Sequence, residues 1–160
     1  MLPKEINLQE IKAFVEQCGP GTKIYIGCDS ERILQKKRWH ADYVLAAVVH
    51  INGNRGCRIF GSMTREIDYD QKRDKPQMRL MNEVYKVADL YLNLAPLLED
   101  HDIEVHLDIN PDVKHGSSCV VHQAIGYIRG VCNVIPMVKP QAFAASTAAD
   151  RLKGIHAKIA

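Results

Sequence analysis

Features that mark exported, membrane-spanning or disulfide-stapled proteins are missing from this sequence of 160 residues. No apolar run reaches about 18 residues and no secretory signal pattern is present, so we expect neither a membrane span nor export by that route. The five cysteines are odd in number and include no Cys-x-x-Cys pair. Free thiols are typical of a reducing compartment, and the sequence therefore predicts a cytoplasmic protein.

The chain also has no large excess of positive or negative charge and no segment of biased composition. The formal net charge is only +2, so any surface that binds nucleic acid must be local. There is no internal repeat, low-complexity tract or linker-like segment. With 46% hydrophobic and 25% charged residues the composition is that of a globular protein, and we expect residues 1–160 to form a single domain.

Two short apolar segments, residues 23–29 and 102–108, each run into an aspartate. Alternate side chains of a strand share a face, so Asp29 and Asp108 each lie opposite the aliphatic side chains of their own strand. If the two strands are neighbours, the carboxylates meet and repel unless a proton or a cation lies between them. Carboxylate oxygens favour Mg²⁺ or Mn²⁺. Taken alone, either aspartate is also typical of a turn after a strand.

Hydrophobic periodicity and turn residues predict four helices and five strands. The helices cover residues 7–17, 77–94, 117–129 (with Gly130 at its C-terminal end) and a last segment from 145 or 146 onward, and the strands cover residues 23–29, 43–51, 57–65, 102–108 and 133–138. An Asn52-Gly53 turn predicts a hairpin, so strands one to three form an antiparallel meander. Strands four and five follow helical crossovers and should run parallel to the first. This predicts an α/β fold with a mixed five-stranded sheet and helices on both faces.

The long helix over residues 77–94 carries two acids with different expected environments. Helical phase places Glu83 at the edge of the buried apolar stripe, from which it can reach the sheet. The same phase points Asp89 directly away from that stripe. Glu83 is therefore the helical acid best placed to join Asp29 and Asp108.

A basic stretch, residues 30–40, directly follows Asp29. We interpret it as a loop in which Lys36, Lys37 and Arg38 bind phosphates and Trp39, the only tryptophan, stacks on a base. A short run of charges is also typical of an ordinary solvated surface, and the pattern leaves that alternative open.

Further candidate residues follow the second strand-end aspartate. Lys114 and His115 lie in a loop that opens a helix, which suits a phosphate site, and His115 could transfer a proton; a solvated turn is the alternative. Lys139, before Pro140, is a second candidate phosphate contact. A zinc site formed by His115, Cys119 and His122 lacks a fourth ligand nearby.

Three stretches are similar to the YkuK-type branch of the ribonuclease H-like superfamily: residues 26–31, residues 107–112 with 114–118, and residues 138–140 with 144–150. The resemblance implies a ribonuclease H fold with one extra N-terminal helix. It also implies a site for two metal ions, with carboxylates from the first strand, the first long helix, the fourth strand and the last helix: Asp29, Glu83, Asp108 and Asp150. Asp150 could instead be an acid that simply stabilises a helix N-terminus.

The resemblance implies a metal-dependent phosphodiesterase that uses Mg²⁺ or Mn²⁺ and acts on RNA, RNA–DNA hybrid or structured DNA. In this interpretation the catalytic residues are the four carboxylates and His115, and the substrate contacts are Lys36, Lys37, Arg38, Trp39, Lys114 and Lys139. Two alternatives stay open: a nucleic-acid-binding or scaffold protein that keeps the fold without turnover, and an enzyme that transfers phosphate on a small nucleotide.

Overall fold

The structure, a computed structural model, describes residues 2–53, 55–70, 76–112, 118, 120–148 and 151–153, with the side chains of Ala145 and Ser146 excepted. Its elements in chain order are α1 (Leu8–Glu16), β1 (Lys23–Gln35), β2 (Arg38–His50), β3 (Cys57–Ile67), α2 (Gln77–Leu94), β4 (Ile103–Leu107), α3 (Val121–Cys132) and a π-helical turn (Ala144–Ala148). A 3-10 turn over Ala95–Leu97 directly follows α2. Among these helices none is long and apolar enough to cross a bilayer.

The sheet has the strand order β3-β2-β1-β4. β1 pairs antiparallel with β2, β2 pairs antiparallel with β3, and β1 pairs parallel with β4. The predicted antiparallel meander and the parallel fourth strand are therefore confirmed. The predicted helix over residues 77–94 is also confirmed as α2.

The prediction of a fifth strand over residues 133–138 is wrong, because the described part of the chain contains a sheet of four strands. Only an isolated parallel bridge joins His106 to Met137, with Met137 N donating to Val105 O at 2.8 Å and Leu107 N donating to Met137 O at 2.9 Å. Proline has no amide hydrogen to donate to a ladder, and prolines stand at positions 136 and 140. They confine the pairing to a few residues beside β4.

The first two strands are longer than predicted. β1 continues past Asp29 to Gln35 and β2 begins at Arg38, so the expected basic loop over residues 30–40 is the end of a hairpin. Its two-residue turn has positive φ at both Lys36 (50°) and Lys37 (62°). Asn and Gly are the residues that normally adopt this conformation. Because both turn positions are lysines, the sequence contained no turn signal there.

The two faces of the sheet pack against different helical layers. On one face, Ile24, Ile26 and Cys28 of β1 belong to the main hydrophobic core, which also contains buried residues of α1, α2 and α3. On the other face, a smaller cluster joins β2 to the C-terminal segment, by which we mean the described residues 139–148 and 151–153. The cluster contains Val44, Ala46, Val48, Ala144, Ala148 and Leu152. Helical structure therefore covers both faces, as predicted.

The helix ends match the predictions only in part. Asn7 caps α1 by accepting a hydrogen bond from Glu10 N at 3.1 Å. The third helix runs over Val121–Cys132 rather than 117–129, and Asn133 with φ 57° takes the left-handed C-terminal position expected of Gly130. Asn tolerates this conformation, so the apolar Val131 and Cys132 can extend the helix.

A buried histidine, His106 on β4, joins the sheet to the C-terminal segment. His106 is 1% exposed, and its Nδ1 accepts hydrogen bonds from Phe143 N and Ala144 N, each at 3.1 Å. Its ring contacts those of Tyr25 and Phe143, with centroids 5.3 Å and 4.8 Å apart. Burial lowers the pKa of His106 to about 4, and an Nδ1 that accepts two amide hydrogens must be unprotonated. The neutral ring thus anchors the start of the π-helical turn.

We expect the contribution of His106 to stability to fall as the pH decreases. Its folded-state pKa of about 4 lies below the ordinary value of 6.5, so the unfolded chain binds the proton more readily between these values. His106→Asn keeps an acceptor but does not titrate. The measurement is the free energy of unfolding from urea titrations, taken as the wild-type value minus the value for His106→Asn. This difference should be constant above about pH 7. Towards pH 4 it should fall by at most about 1.4 kcal/mol per pH unit. A difference that does not change with pH would contradict this assignment.

Gly61 on β3 should be intolerant of a side chain. A Cβ there would lie 2.3 Å from Leu152 Cδ1 and 3.3 Å from Leu45 O, and Leu152, on the C-terminal segment, is buried in the smaller cluster against the sheet. We expect Gly61→Ala to lower the free energy of unfolding by about 1–3 kcal/mol, measured by denaturant titration. Gly126→Ala is the matched control, because nothing lies within 4 Å of a Cβ on that α3 position. It should be neutral or stabilising, and equal effects at both positions would refute the packing argument.

Candidate functional site

The parallel pairing of β1 and β4 brings Asp29 and Asp108 together. The register places Cys28 opposite Leu107, so the next residue on each chain segment is one of the two aspartates. Burial, together with a hydrogen bond to the Asp108 carboxyl, raises the pKa of Asp29 to about 7, although the nearby Lys153 ammonium opposes this shift. The prediction that the two aspartates lie at the ends of adjacent parallel strands with neighbouring carboxyl groups is confirmed, and their sharing of a cation stays a prediction.

Each aspartate is paired with a lysine from the C-terminal part of the chain. Lys153 Nζ lies 2.7 Å from Asp29 Oδ2, and Lys139 Nζ lies 2.7 Å from Asp108 Oδ1. The contact with Asp108 raises the pKa of Lys139. Apart from that ammonium, the buried Asp108 Oδ1 has no hydrogen-bond donor in the described part of the chain. The carboxylate pair is thus balanced by two cationic side chains.

Glu83 approaches the same region from α2. It is 4% exposed and accepts a short hydrogen bond from Ser30 Oγ. Arg79, one turn earlier on the helix, donates from Nη1 to Ser30 Oγ at 2.8 Å and to Ser30 O at 3.2 Å. Burial raises the pKa of Glu83 well above its ordinary value, and the charge of Asp29 raises it further. Asp89 is exposed, so the predicted phase of the helix is confirmed.

The three acids nevertheless lie on two faces of the sheet. Ser30 follows Asp29 in β1 and therefore points to the opposite face, where it meets Glu83. Asp29 shares its face with Tyr25, and Asp108 shares its face with His106, whose ring contacts that of Tyr25. Within the ranges that the structure describes, no three His, Cys, Asp or Glu side chains form a group that could hold one metal ion. Glu83 is coupled to the aspartates through charge rather than as part of one ligand set.

The start of α2 is fixed by an acid outside the helix. Pro76 precedes the helix and has no side-chain acceptor, and the Asp70 carboxylate instead accepts hydrogen bonds from Met78 N and Arg79 N, each at 2.9 Å. Asp70 O in turn accepts a hydrogen bond from Arg32 Nη2 at 3.0 Å. The turn of α2 that holds Arg79 is therefore tied to β1.

Three of the predicted residues, Lys114, His115 and Asp150, lie outside the described residues, and so does Cys119 of the zinc alternative. Their proposed roles stay predictions. His122, the remaining member of that alternative, is exposed on α3.

The basic residues of the β1–β2 hairpin lie further from Asp29 than their position in the sequence suggested. Lys36, Lys37 and Arg38 are exposed at the turn, and Trp39 pairs with Leu34 in the ladder. Leu34 is five residues beyond Asp29 along β1, which corresponds to about 17 Å at the usual rise of a strand. Trp39 is 41% exposed, and the Arg32 guanidinium lies over its ring, 4.3 Å from the centroid. The hairpin could contact a long substrate away from the aspartate pair, but not at it.

Sequence reasoning missed three residues of this region. Ser30, Arg79 and Lys153 were not identified, although Arg79 and Glu83 are four residues apart on α2 and so share a helix face. That spacing was a usable signal. Lys153 reaches Asp29 across 124 positions of sequence, and no local pattern reveals such a contact.

Comparison with known families adds an independent finding. The model of the ribonuclease H-like family matches residues 7–153, which is most of the chain. The chain belongs to the ribonuclease H-like family. This confirms the resemblance stated above, and the family is associated with nuclease-type folds. No curated protein and no solved structure shows significant similarity to the chain.

Proposed function

We propose that this ribonuclease H-like protein is a metal-dependent phosphodiesterase that acts on RNA, RNA–DNA hybrid or structured DNA. The observation that carries the proposal is the contact between the Asp29 and Asp108 carboxyl groups on paired parallel strands. Family membership supports a nuclease-type fold around this pair.

Asp29 and Asp108 supply oxygen ligands of the kind that a hard divalent cation prefers, and within the described residues no third acidic, histidine or cysteine ligand joins them. Two carboxylates that lie side by side at the sheet repel, and Asp108 Oδ1 is a buried acceptor with no hydrogen-bond donor other than an ammonium among the described residues. Asp29 and Asp108 would hold Mg²⁺ or Mn²⁺. The further acids of a two-metal site would be Asp150 and Glu83, and Glu83 acts on the aspartate pair by its charge from the opposite face. The bound metal would activate water and stabilise the leaving oxygen of the phosphodiester.

The other residues of the site position these groups. The Arg79–Ser30 contacts fix the orientation of the buried Glu83 carboxyl beside β1. Lys139, and by prediction Lys114, would bind phosphate oxygens, and His115 would transfer a proton.

The four described cysteines, Cys18, Cys28, Cys57 and Cys132, are free, which supports the proposal that the protein acts in the reducing cytoplasm.

A nucleic-acid-binding or scaffold protein without turnover is the second candidate function. It is favoured by the position of Glu83, which meets Ser30 on the face opposite the two aspartates rather than sharing a ligand group with them. Two aspartates can bind one cation without arranging a second for hydrolysis.

We expect Glu83→Gln to reduce metal-dependent cleavage by about 100-fold or more, because the amide loses the charge that supports a bound cation. Gln can still accept the hydrogen bond from Ser30 Oγ, so the local packing should be kept. Asp89→Asn is the matched control: it removes an exposed acid six residues further along α2 and should leave the rate near that of wild type. The measurement is the cleavage rate of single-stranded RNA, hybrid and branched DNA with Mg²⁺ and with Mn²⁺.

The reverse order of effects would show that the acid on α2 is misassigned. A wild-type protein that cleaves none of these polymers with either metal would favour the binding or scaffold function instead.

We also propose that the hairpin tip forms the nucleic-acid contact, with Lys36, Lys37 and Arg38 on phosphates and Trp39 stacking on a base. Replacing the three basic residues by Gln should weaken binding and reduce the slope of log K against log salt by about 2 to 3 units, because each lysine or arginine that contacts a phosphate releases counterions. Filter binding of a non-cleavable oligonucleotide at several salt concentrations measures both. Lys23→Gln, at the exposed far end of β1, is the control and should change neither. An unchanged affinity and slope in the triple variant would mean that the tip is a solvated surface.

A further inference from the structure

We propose that Lys153 and Lys139 are resident counter-ions of the Asp29–Asp108 pair, which occupy the carboxylate oxygens in place of a divalent cation and must be displaced when one binds. The inference rests on the proposed metal site and assigns a role to Lys153, which no sequence pattern indicated.

The distances place both ammonium groups where a cation would bind. Lys153 Nζ and Lys139 Nζ each lie 2.7 Å from an oxygen of one aspartate, Asp29 Oδ2 and Asp108 Oδ1 respectively. The carboxylates are mostly enclosed, with side-chain exposures of 15% for Asp29 and 14% for Asp108. An ammonium and a divalent cation repel at such distances, so the same oxygens cannot serve both well.

Contacts other than these ion pairs fix the backbone at both lysines. Lys139 N donates to Ile109 O at 3.1 Å, which holds this residue beside the end of β4. Lys153 follows Leu152, whose side chain is buried in the small cluster against β2. A backbone hydrogen bond thus positions Lys139 beside the aspartates, and the packing of Leu152 positions Lys153 there.

This arrangement explains how two enclosed carboxylates can lie side by side in a folded protein. The two ammonium groups offset the repulsion within the pair, so the pair does not depend on a metal for its stability. With a divalent cation on the aspartates, the ammonium groups of both lysines would be available to pair with phosphate oxygens.

The test is the dissociation constant for Mn²⁺, measured by isothermal titration calorimetry on wild type, Lys153→Met and Lys139→Met. Removing either lysine removes both a competitor for the oxygens and a repelling charge, so we expect the dissociation constant to decrease about tenfold in each variant. Lys153→Arg keeps the charge and should restore the weaker binding of wild type. Lys86→Met is the matched control, because Lys86 forms a similar pair with Glu66 at 2.6 Å outside the site.

Thermal unfolding without metal gives a second readout. Lys153→Met should lower the melting temperature because it leaves the enclosed Asp29 without its cationic partner, and the further change Asp29→Asn should recover most of the loss. If Lys153→Met fails to fold, the same comparisons with Lys153→Gln and Lys139→Met replace it.

The outcomes separate this inference from the proposed function. Tighter Mn²⁺ binding in the lysine variants, lost again with Asp29→Asn, supports both. Mn²⁺ binding to wild type that the lysine variants do not strengthen overturns the counter-ion role and leaves the metal site standing. If neither wild type nor the lysine variants bind Mn²⁺, the metal site of the proposed function fails, and this inference fails with it.

Discussion

The repulsion between two neighbouring carboxylates is the constraint on which this structure depends. Parallel pairing of β1 with β4 sets Asp29 beside Asp108, and burial makes their negative charge costly. Lysines from the end of the chain balance that charge at 2.7 Å. The C-terminal segment is accordingly attached at several points, through the buried His106, through Leu152 against the sheet, and through the hydrogen bond from Lys139 N to Ile109 O. Fold and candidate site are stabilised by the same contacts.

On the face of the sheet that α2 covers, a buried glutamate lies close to the aspartate pair and is held by hydrogen bonds rather than by a lysine. Glu83 is buried and its pKa is raised, so it is poorly suited to carry a lone charge in the absence of a cation. Ser30 donates a hydrogen bond to Glu83, and Arg79 in turn donates to Ser30. Asp70 fixes the helix turn from which Arg79 extends. A network of this kind holds one carboxyl in a defined orientation next to β1. It is compatible with either proposed function, because positioning serves both cation binding and a purely structural role.

The features that the sequence predicted well have strong local patterns. Alternating apolar residues identified the strands around Asp29 and Asp108, and helical phase placed Glu83 inward and Asp89 outward, as the structure has them. The failures have physical causes. The tip of the β1–β2 hairpin is exposed and charged, so its residues do not alternate between apolar and polar as those of a half-buried strand do. Its Lys36-Lys37 turn also lacks a typical turn residue. Asn133 took the helix-ending role expected of Gly130. The Lys153–Asp29 pair joins distant positions, and only the fold reveals it.

The central claim is that the Asp29–Asp108 pair is a cation site in a protein of the ribonuclease H-like family. The most direct measurement is the anomalous difference density of a crystal soaked with Mn²⁺. We expect a peak bound to the carboxylates of Asp29 and Asp108, with the Lys153 and Lys139 ammonium groups moved away from them. A peak that avoids both aspartates, or lysine pairs that stay in place in a crystal saturated with the metal, would contradict it.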